Sequence, residues 1–239
     1  MQAFAADGWR VLAVDIEEPD ALPPGAVHLS FDLAQVEHYA DLAEQIRSTA
    51  GSLKALINNA SFNPKIEDGA NAFVAFENMP LADWEREVRL NLTAPIFLTQ
   101  TLLEHFDHRD GRPCKIVNVT SIYGMTPPNQ RMYEEYAQVS GTNMVKPIGY
   151  SVTKAALDMA TRYLGVYLAG RGFNVNALAP GGVENRQPAA FLKAYARHVP
   201  IGRMARVEEL LGAFRLLCGE GSDYMNGHTL VVDGGWTVW

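Results

Sequence analysis

The sequence predicts an α/β fold in which a parallel sheet is wrapped by helices, and three observations carry that expectation. Short apolar runs alternate with longer stretches of helical spacing along the whole chain. At 239 residues and 48 % hydrophobic content there is enough material for one large core. No internal repeat, linker or low-complexity segment divides the chain, so 1–239 is expected to be a single domain.

The opening "MQAFAADG" reads as the tail of a helix that turns into the strand "RVLAVDI" (10–16), which closes on an acidic residue. A second strand, "AVHLSFDL" (26–33), is followed by helical spacing over 35–50 that stops at Gly51. "KALINNA" (54–60) is the third strand; a helix is expected over 81–106 and "KIVNVTS" (115–121) is the fourth strand. Helical spacing over 150–170 leads to "FNVNALAP" (173–180), and a helix over 206–218 precedes "HTLVVDGG" (228–235). Two stretches break this rhythm: "GMTPPNQRMYEEYAQVSGTNMVKPIG" (124–149) and "GGVENRQPAAFLKAYARHVP" (181–200). Both follow strand ends at the carboxyl edge of the sheet, where open α/β folds bind ligands, and both exceed an ordinary connection. They are the candidate substrate loops.

A net charge of −7 with no run of Lys or Arg argues against a nucleic-acid partner. Cys114 and Cys218 belong to no C-x-x-C pair, which points away from a disulfide framework and toward a reducing cytoplasm. No apolar stretch approaches the roughly 20 residues that span a bilayer, so no membrane role is expected. In that setting the sequons at Asn91 and Asn118 are chance matches. The six histidines are scattered and no carboxylate pattern completes a metal site with His105 and His108, so no metal is assigned.

In "YSVTK", Tyr150 and Lys154 stand four apart within a helical segment, one turn apart on the same face. A nearby ammonium favours the phenolate and would bring a group that normally titrates near 10 toward a working range for proton transfer. Taken alone, the spacing equally suits an amphipathic surface helix. Its company is more specific: "INNA" ends a strand with Asn58 and Asn59, "LNLTAPIFL" sets Asn91 inside an apolar helix, and "VNVTS" ends a strand on Ser121.

Together with "ALAPGGV" and "GHTLVVDGG", these residues make the chain resemble the short-chain dehydrogenase/reductase family from about residue 9 to residue 235. The resemblance implies a Rossmann-like, doubly wound parallel sheet and hydride transfer between a nicotinamide and a secondary alcohol or ketone. By it, Tyr150 is the general acid/base, Lys154 lowers the tyrosine pKa and holds the nicotinamide ribose, Ser121 bonds the substrate oxygen and Asn91 supports a water-linked proton relay. A polar residue at a helix irregularity is the plain alternative for Asn91. Asp15 falls where members that prefer NAD carry an acid for the adenosine ribose, so NAD is expected over NADP, unless Asp15 only forms the turn before Glu17 and Glu18. Asp32 would lie beside the adenine, Asn58 and Ala60 would line the ribose and pyrophosphate, and Pro180, Gly181 and Val183 would back the nicotinamide.

The chain departs from the family pattern in four places. Ser61 replaces the glycine of N-N-A-G, Asn185 replaces a common threonine, and the 29 positions from Ser121 to Tyr150 exceed the usual spacing. No T-G-x-x-x-G-x-G precedes Asp15, so the family's first strand and its pyrophosphate-gripping turn are expected to be missing, with weakened dinucleotide binding. The long loops resemble those of reductases in flagellin-modification and nonulosonic-acid sugar pathways, and offer Tyr133, Tyr136, Asn143, Asn185, Arg186 and Gln187 to a sugar or nucleotide-sugar. A merely solvated lid is the other reading of those loops. Two other functions stay open: the same chemistry on an acyl or polyol substrate, and a cofactor-free relic serving as a binding or assembly subunit. Trp236 and Trp239 in "GGWTVW" suit the subunit interface that the family often forms at its carboxyl end, implying a homodimer or homotetramer.

Overall fold

All six apolar runs form parallel strands in the computed structural model, which describes residues 1–63, 73–141 and 145–239. The elements in chain order are α1 (Gln2–Ala6), β1 (Leu12–Asp15), β2 (Val27–Ser30), α2 (Tyr39–Ala50), β3 (Ala55–Asn58), α3 (Leu81–Val88), α4 (Ala94–Leu102) and β4 (Cys114–Val119). There follow α5 (Gln130–Ser140), α6 (Ile148–Leu168), β5 (Phe173–Pro180), α7 (Ala189–Ala196), α8 (Val207–Cys218) and β6 (Thr229–Val232). Asn143 lies outside the described residues.

Because successive strand side chains point to opposite faces, each strand feeds two apolar layers. Ile116 of β4 and Val175 of β5 pack with Leu42 and Ile46 of α2, Leu98 and Leu102 of α4 and Leu168 of α6. Val117 and Leu178, on the other face, pack with Leu217 and Cys218 of α8 and with Phe4 of α1. The sheet is thus covered by helices on both sides, as the doubly wound expectation requires. The helix α2 ends where Gly51 takes a φ of 77°, a conformation that costs other residues a steric penalty.

The strands fall into two hydrogen-bonded sets, β1–β2 and β3–β4–β5–β6, and no ladder joins β1 to β3 among the described residues. Leu12 and Val14 of β1 and Leu56 of β3 nevertheless share one apolar cluster, so the two sets lie side by side. Burial follows the pairing: every residue of β4 and β5 is buried except the last, whereas β1 and β3 contain no fully buried residue.

Both candidate substrate loops contain a helix that the sequence pattern had not shown. Met132, Tyr133 and Tyr136 of α5 and Phe191, Ala194 and Tyr195 of α7 pack into a third cluster with Ile122, Met204 and Trp236. Tyr133 and Tyr136 are therefore buried structural side chains of a folded lid, not groups displayed on a solvated loop. The expected helix over 81–106 is also interrupted: residues Arg89–Thr93 form one turn of π-helix, centred on Asn91.

Candidate active site

Ser121 stands two residues beyond β4 and opens a single tight turn, Ile122–Gly124, with its hydroxyl accepting the Tyr123 N–H at 3.1 Å. That turn lies against α6 because residue 124 has no side chain. A Cβ there would come within 2.8 Å of the Ala155 nitrogen, so glycine is what lets the two backbones meet. Tyr150 sits in the first turn of α6, after Pro147, with its hydroxyl near enough to the Ser121 side chain to be influenced by it. Lys154, one turn on, donates its Nζ to the Val119 carbonyl at 2.8 Å and stands 5.6 Å from the Tyr150 ring centroid. The expected trio of Ser121, Tyr150 and Lys154 is brought together, and all three are buried.

The electrostatics differ from the expectation in direction. Burial pushes the Tyr150 phenol above its ordinary value, and the nearby Ser121 side chain only partly offsets it. Burial also lowers the Lys154 ammonium to about 8. Desolvation disfavours any charged form, so it raises the phenol and depresses the amine, outweighing the attraction expected between them. Near neutral pH Tyr150 is a neutral phenol, the form that donates a proton.

Asn91 occupies the π-helical turn with its side chain spent on structure. Its Oδ1 accepts the Phe62 N–H at 2.6 Å, and its Nδ2 donates to the Phe62 carbonyl at 2.9 Å and to Thr153 Oγ1 at 3.3 Å. It thereby clasps the loop after β3 to the helix of Tyr150. Asn91 is thus the polar side chain at a helix irregularity that was its plain alternative.

The residues expected along a dinucleotide line the strand ends, but several side chains have local partners. Asp15 ends β1 and accepts the Glu17 N–H at 3.1 Å, the turn contact foreseen as its alternative role. Asp32 accepts the Ala34 N–H at 2.9 Å. Asn58 points into the structure, donating to Asn118 Oδ1 at 2.8 Å and Thr99 Oγ1 at 3.3 Å, so only its backbone and that of Ala60 remain to line a ligand. Pro180 ends β5, and the next turns are pinned from behind: Gly181 N–H donates to the Val232 carbonyl at 2.9 Å and Gly182 N–H to Tyr195 Oη at 2.7 Å. A Cβ on Gly181 would meet Asp233, and one on Gly182 would meet the Tyr195 ring. Val183 bridges to Ala205. Gln187 ties the following turn, accepting the Asn185 N–H at 2.6 Å, and Arg186 takes a φ of 61°.

Three residues of the site were not singled out from the sequence. Tyr195 of α7 pins Gly182 and stacks on Trp236, with ring centroids 4.9 Å apart and planes 23° from parallel. Glu87 of α3 is buried against Gly149, and burial pushes its carboxyl up to about 7 despite the pull of Lys146. Lys146, four residues before Tyr150, is buried with its Nζ 5.0 Å from the Tyr150 ring centroid. Its sequence signal was a lone cation in "MVKPIGY", just ahead of the proline that opens α6.

Residues 1–237 match the family model described as enoyl-(acyl carrier protein) reductase. The chain is 30 % identical over 233 residues to the 3-oxoacyl-[acyl-carrier-protein] reductase FabG of Aquifex aeolicus, covering 95 % of this chain and 83 % of the relative. A short-chain dehydrogenase from Leptospira borgpetersenii, solved with bound NAD+, superposes with a TM-score of 0.85 at 26 % identity, over 99 % of this chain and 86 % of that one. A gluconate 5-dehydrogenase from Burkholderia cenocepacia, solved with NADP and tartrate, gives 0.73 at 25 % identity, over 99 % and 79 %. A buried Ser–Tyr–Lys constellation at the strand ends of a doubly wound sheet, with these likenesses, defines a nicotinamide-dependent oxidoreductase class. The chain belongs to the short-chain dehydrogenase/reductase family.

Proposed function

We propose that this protein transfers hydride between NAD(H) and a secondary alcohol or ketone on a polyhydroxylated, sugar-type substrate. The observation that carries the reading is the buried nearness of Tyr150 to Ser121, with Lys154 beside the same ring. Asp15, the backbones at Asn58 and Ala60, Lys154 and the 180–183 turn would hold the dinucleotide, which supplies or accepts the hydride. The residues fit that group: an acid ends the first strand, a buried cation lies beneath the ring-binding edge, and the glycine turn is fixed in shape by Tyr195 and Val232.

In the reducing direction Ser121 donates a hydrogen bond to the substrate carbonyl and Tyr150, a neutral phenol at pH 7, gives the proton that the developing alkoxide needs. Lys154 keeps its positive charge below about pH 8 and steadies the phenolate left behind. Asn91 acts by holding the loop at Phe62 against α6, and a water-linked relay would return the proton through this region.

Substrate choice divides the known relatives. One acts on acyl carriers by its name, and another, named for gluconate, was solved with tartrate. The polar turn at Asn185, Arg186 and Gln187 favours a hydroxylated ligand, including the sugars of flagellin-type glycan modification. Asp15 favours NAD, since a carboxylate repels a 2′-phosphate. The split between β1 and β3 supports a further reading: a parallel strand paired with both, leading into a glycine turn, would complete the pyrophosphate grip. On the outer face of α6, Val152, Met159, Tyr163, Val166 and Tyr167 form an exposed apolar stripe suited to a second copy of the chain. The two buried free thiols suit a reducing compartment such as the cytoplasm.

The test is NADH oxidation by the purified chain against 5-ketogluconate, a ketose and a 3-oxoacyl thioester. Turnover of either sugar-type carbonyl that exceeds that of the thioester supports the reading. Preference for the thioester moves the substrate to the acyl class, and the absence of any NADH binding favours the cofactor-free relic.

A further inference from the structure

Two side chains of the helical run formed by α3 and the π-helical turn meet α6 at points one turn apart on each partner. Asn91 donates Nδ2–H to Thr153 Oγ1 at 3.3 Å, and the Thr153 hydroxyl points back at the carbonyls of Gly149 and Tyr150, 2.8 and 3.0 Å away. Glu87, four residues before Asn91, lies against Gly149, four residues before Thr153. A Cβ at position 149 would collide with the Glu87 carboxyl, so glycine is what admits it. Tyr150 therefore sits in the one turn of α6 that both side chains touch.

The two contacts differ in chemistry. Asn91 has both ends of its amide paired, whereas Glu87, only 2 % exposed, has an Oε2 with no hydrogen-bond partner among the described residues. The carboxyl lies beside the first turn of a 21-residue helix without capping it. A neutral carboxyl is tolerated there, but on ionising, its Oε2 gives up hydration with no donor in return. Lys146, just ahead of α6, favours the ionised form; Asp83, one turn earlier on α3, opposes it; and α6 presents the uncharged Gly149. Burial outweighs Lys146 and raises the carboxyl to about 7.

We propose that Glu87 is a positioning residue for Tyr150: protonated, its carboxyl holds the first turn of α6 against α3, and ionised, it loosens that turn to regain water. This rests on the reading that Tyr150 is where the chemistry occurs. It makes the placement of the reacting phenol depend on pH through a carboxyl outside the Ser121, Tyr150 and Lys154 trio.

Hydrogen–deuterium exchange of the full chain tests it, read at pH 5.5 and 7.5 after correction for the intrinsic rates. The carboxyl titrates in its ordinary range once the turn opens and near 7 while it is packed, so packing is penalised increasingly as pH climbs between those values. The amides of residues 152–155, whose hydrogen bonds close the first turn of α6, should lose about tenfold or more of their protection from pH 5.5 to 7.5, relative to β4 as the reference. Glu87→Gln, which keeps the shape but cannot ionise, should remove that loss. In parallel, the ring-carbon NMR signal of Tyr150, identified by its absence in Tyr150→Phe, should shift with a midpoint near pH 7 in the parent and stay still in Glu87→Gln. If Glu87→Gln does not fold, Glu87→Leu, apolar and of similar volume, takes its place. A parent whose α6 protection and Tyr150 signal ignore pH, or a pH response that survives loss of the carboxyl, overturns the proposal. Because neither readout needs turnover, failed NADH oxidation with an intact pH response would overturn the hydride-transfer reading alone.

Discussion

The two edges of the strand-end cleft are built differently. Around β4 and α6, Ser121, Tyr150 and Lys154 are buried close together, with Ser121 held by the Tyr123 N–H and Lys154 by the Val119 carbonyl, before any ligand contributes. Around β1 and β3, the strands are half-buried and unjoined, and Asp15, Asp32 and Asn58 spend their side chains on local turns or on the sheet interior. The geometry of the trio is fixed by packing between a strand buried except at its last residue and a long helix. On the proposed reading, the protein is preorganised for proton transfer more than for holding the dinucleotide.

The sharpest way to break this comparison is at the preformed edge. Tyr150→Phe removes only the transferable proton and should cost about 10² to 10⁴ in turnover. The melting temperature and NADH affinity should hardly change, and steady-state kinetics with a fluorescence titration checks both. Turnover close to that of the parent would remove Tyr150 from the mechanism.

The open edge is tested by addition. A version extended at its amino end by a strand and a T-G-x-x-x-G-x-G turn should bind NADH more tightly and melt higher. Each backbone group left unpaired in a buried setting costs about 1 to 3 kcal/mol, less where water reaches it, as it does at these half-buried strands. A thermal melt and an NADH titration compare the two forms. No gain in either would mean that another segment already serves this edge.

Glu87, packed against Gly149 at the start of α6, gives a pH test. Its carboxyl is raised by burial from 4.5 to about 7, so the native state carries no penalty below the ordinary carboxyl range and loses stability as pH climbs toward 7. Glu87→Gln should therefore gain stability at pH 8, up to about 3 kcal/mol, and little at pH 4. Denaturant melts at the two pH values provide the check. The smallest effect is expected at Asp15, where Asp15→Ala should reduce the NAD over NADP preference by about two- to fivefold, the weight of one exposed charge interaction. Paired kcat/KM values with NADH and NADPH measure it.

Much of the fold was legible because buried parallel strands leave short apolar runs between turns, and all six appear where "RVLAVDI" to "HTLVVDGG" placed them. The nearness of Tyr150 and Lys154 was legible because one helical turn fixes them on the same side, whatever surrounds them. The helices α5 and α7 were not, since Tyr133, Tyr136, Phe191 and Tyr195 stabilise them against each other across more than 50 residues of sequence. The π-helical turn at Asn91 was hidden for the same reason, because its cause is the Phe62 backbone on a different element. The upward shift of Tyr150 was missed because spacing reveals a neighbouring charge but not the depth of burial.

Hydrogen–deuterium exchange with and without saturating NADH tests the difference between the two edges most directly. The account predicts that amides of β4 and β5 are strongly protected without NADH, while those of β1 and β3 exchange quickly and gain protection when it binds. Equal protection of all four strands without NADH would contradict it.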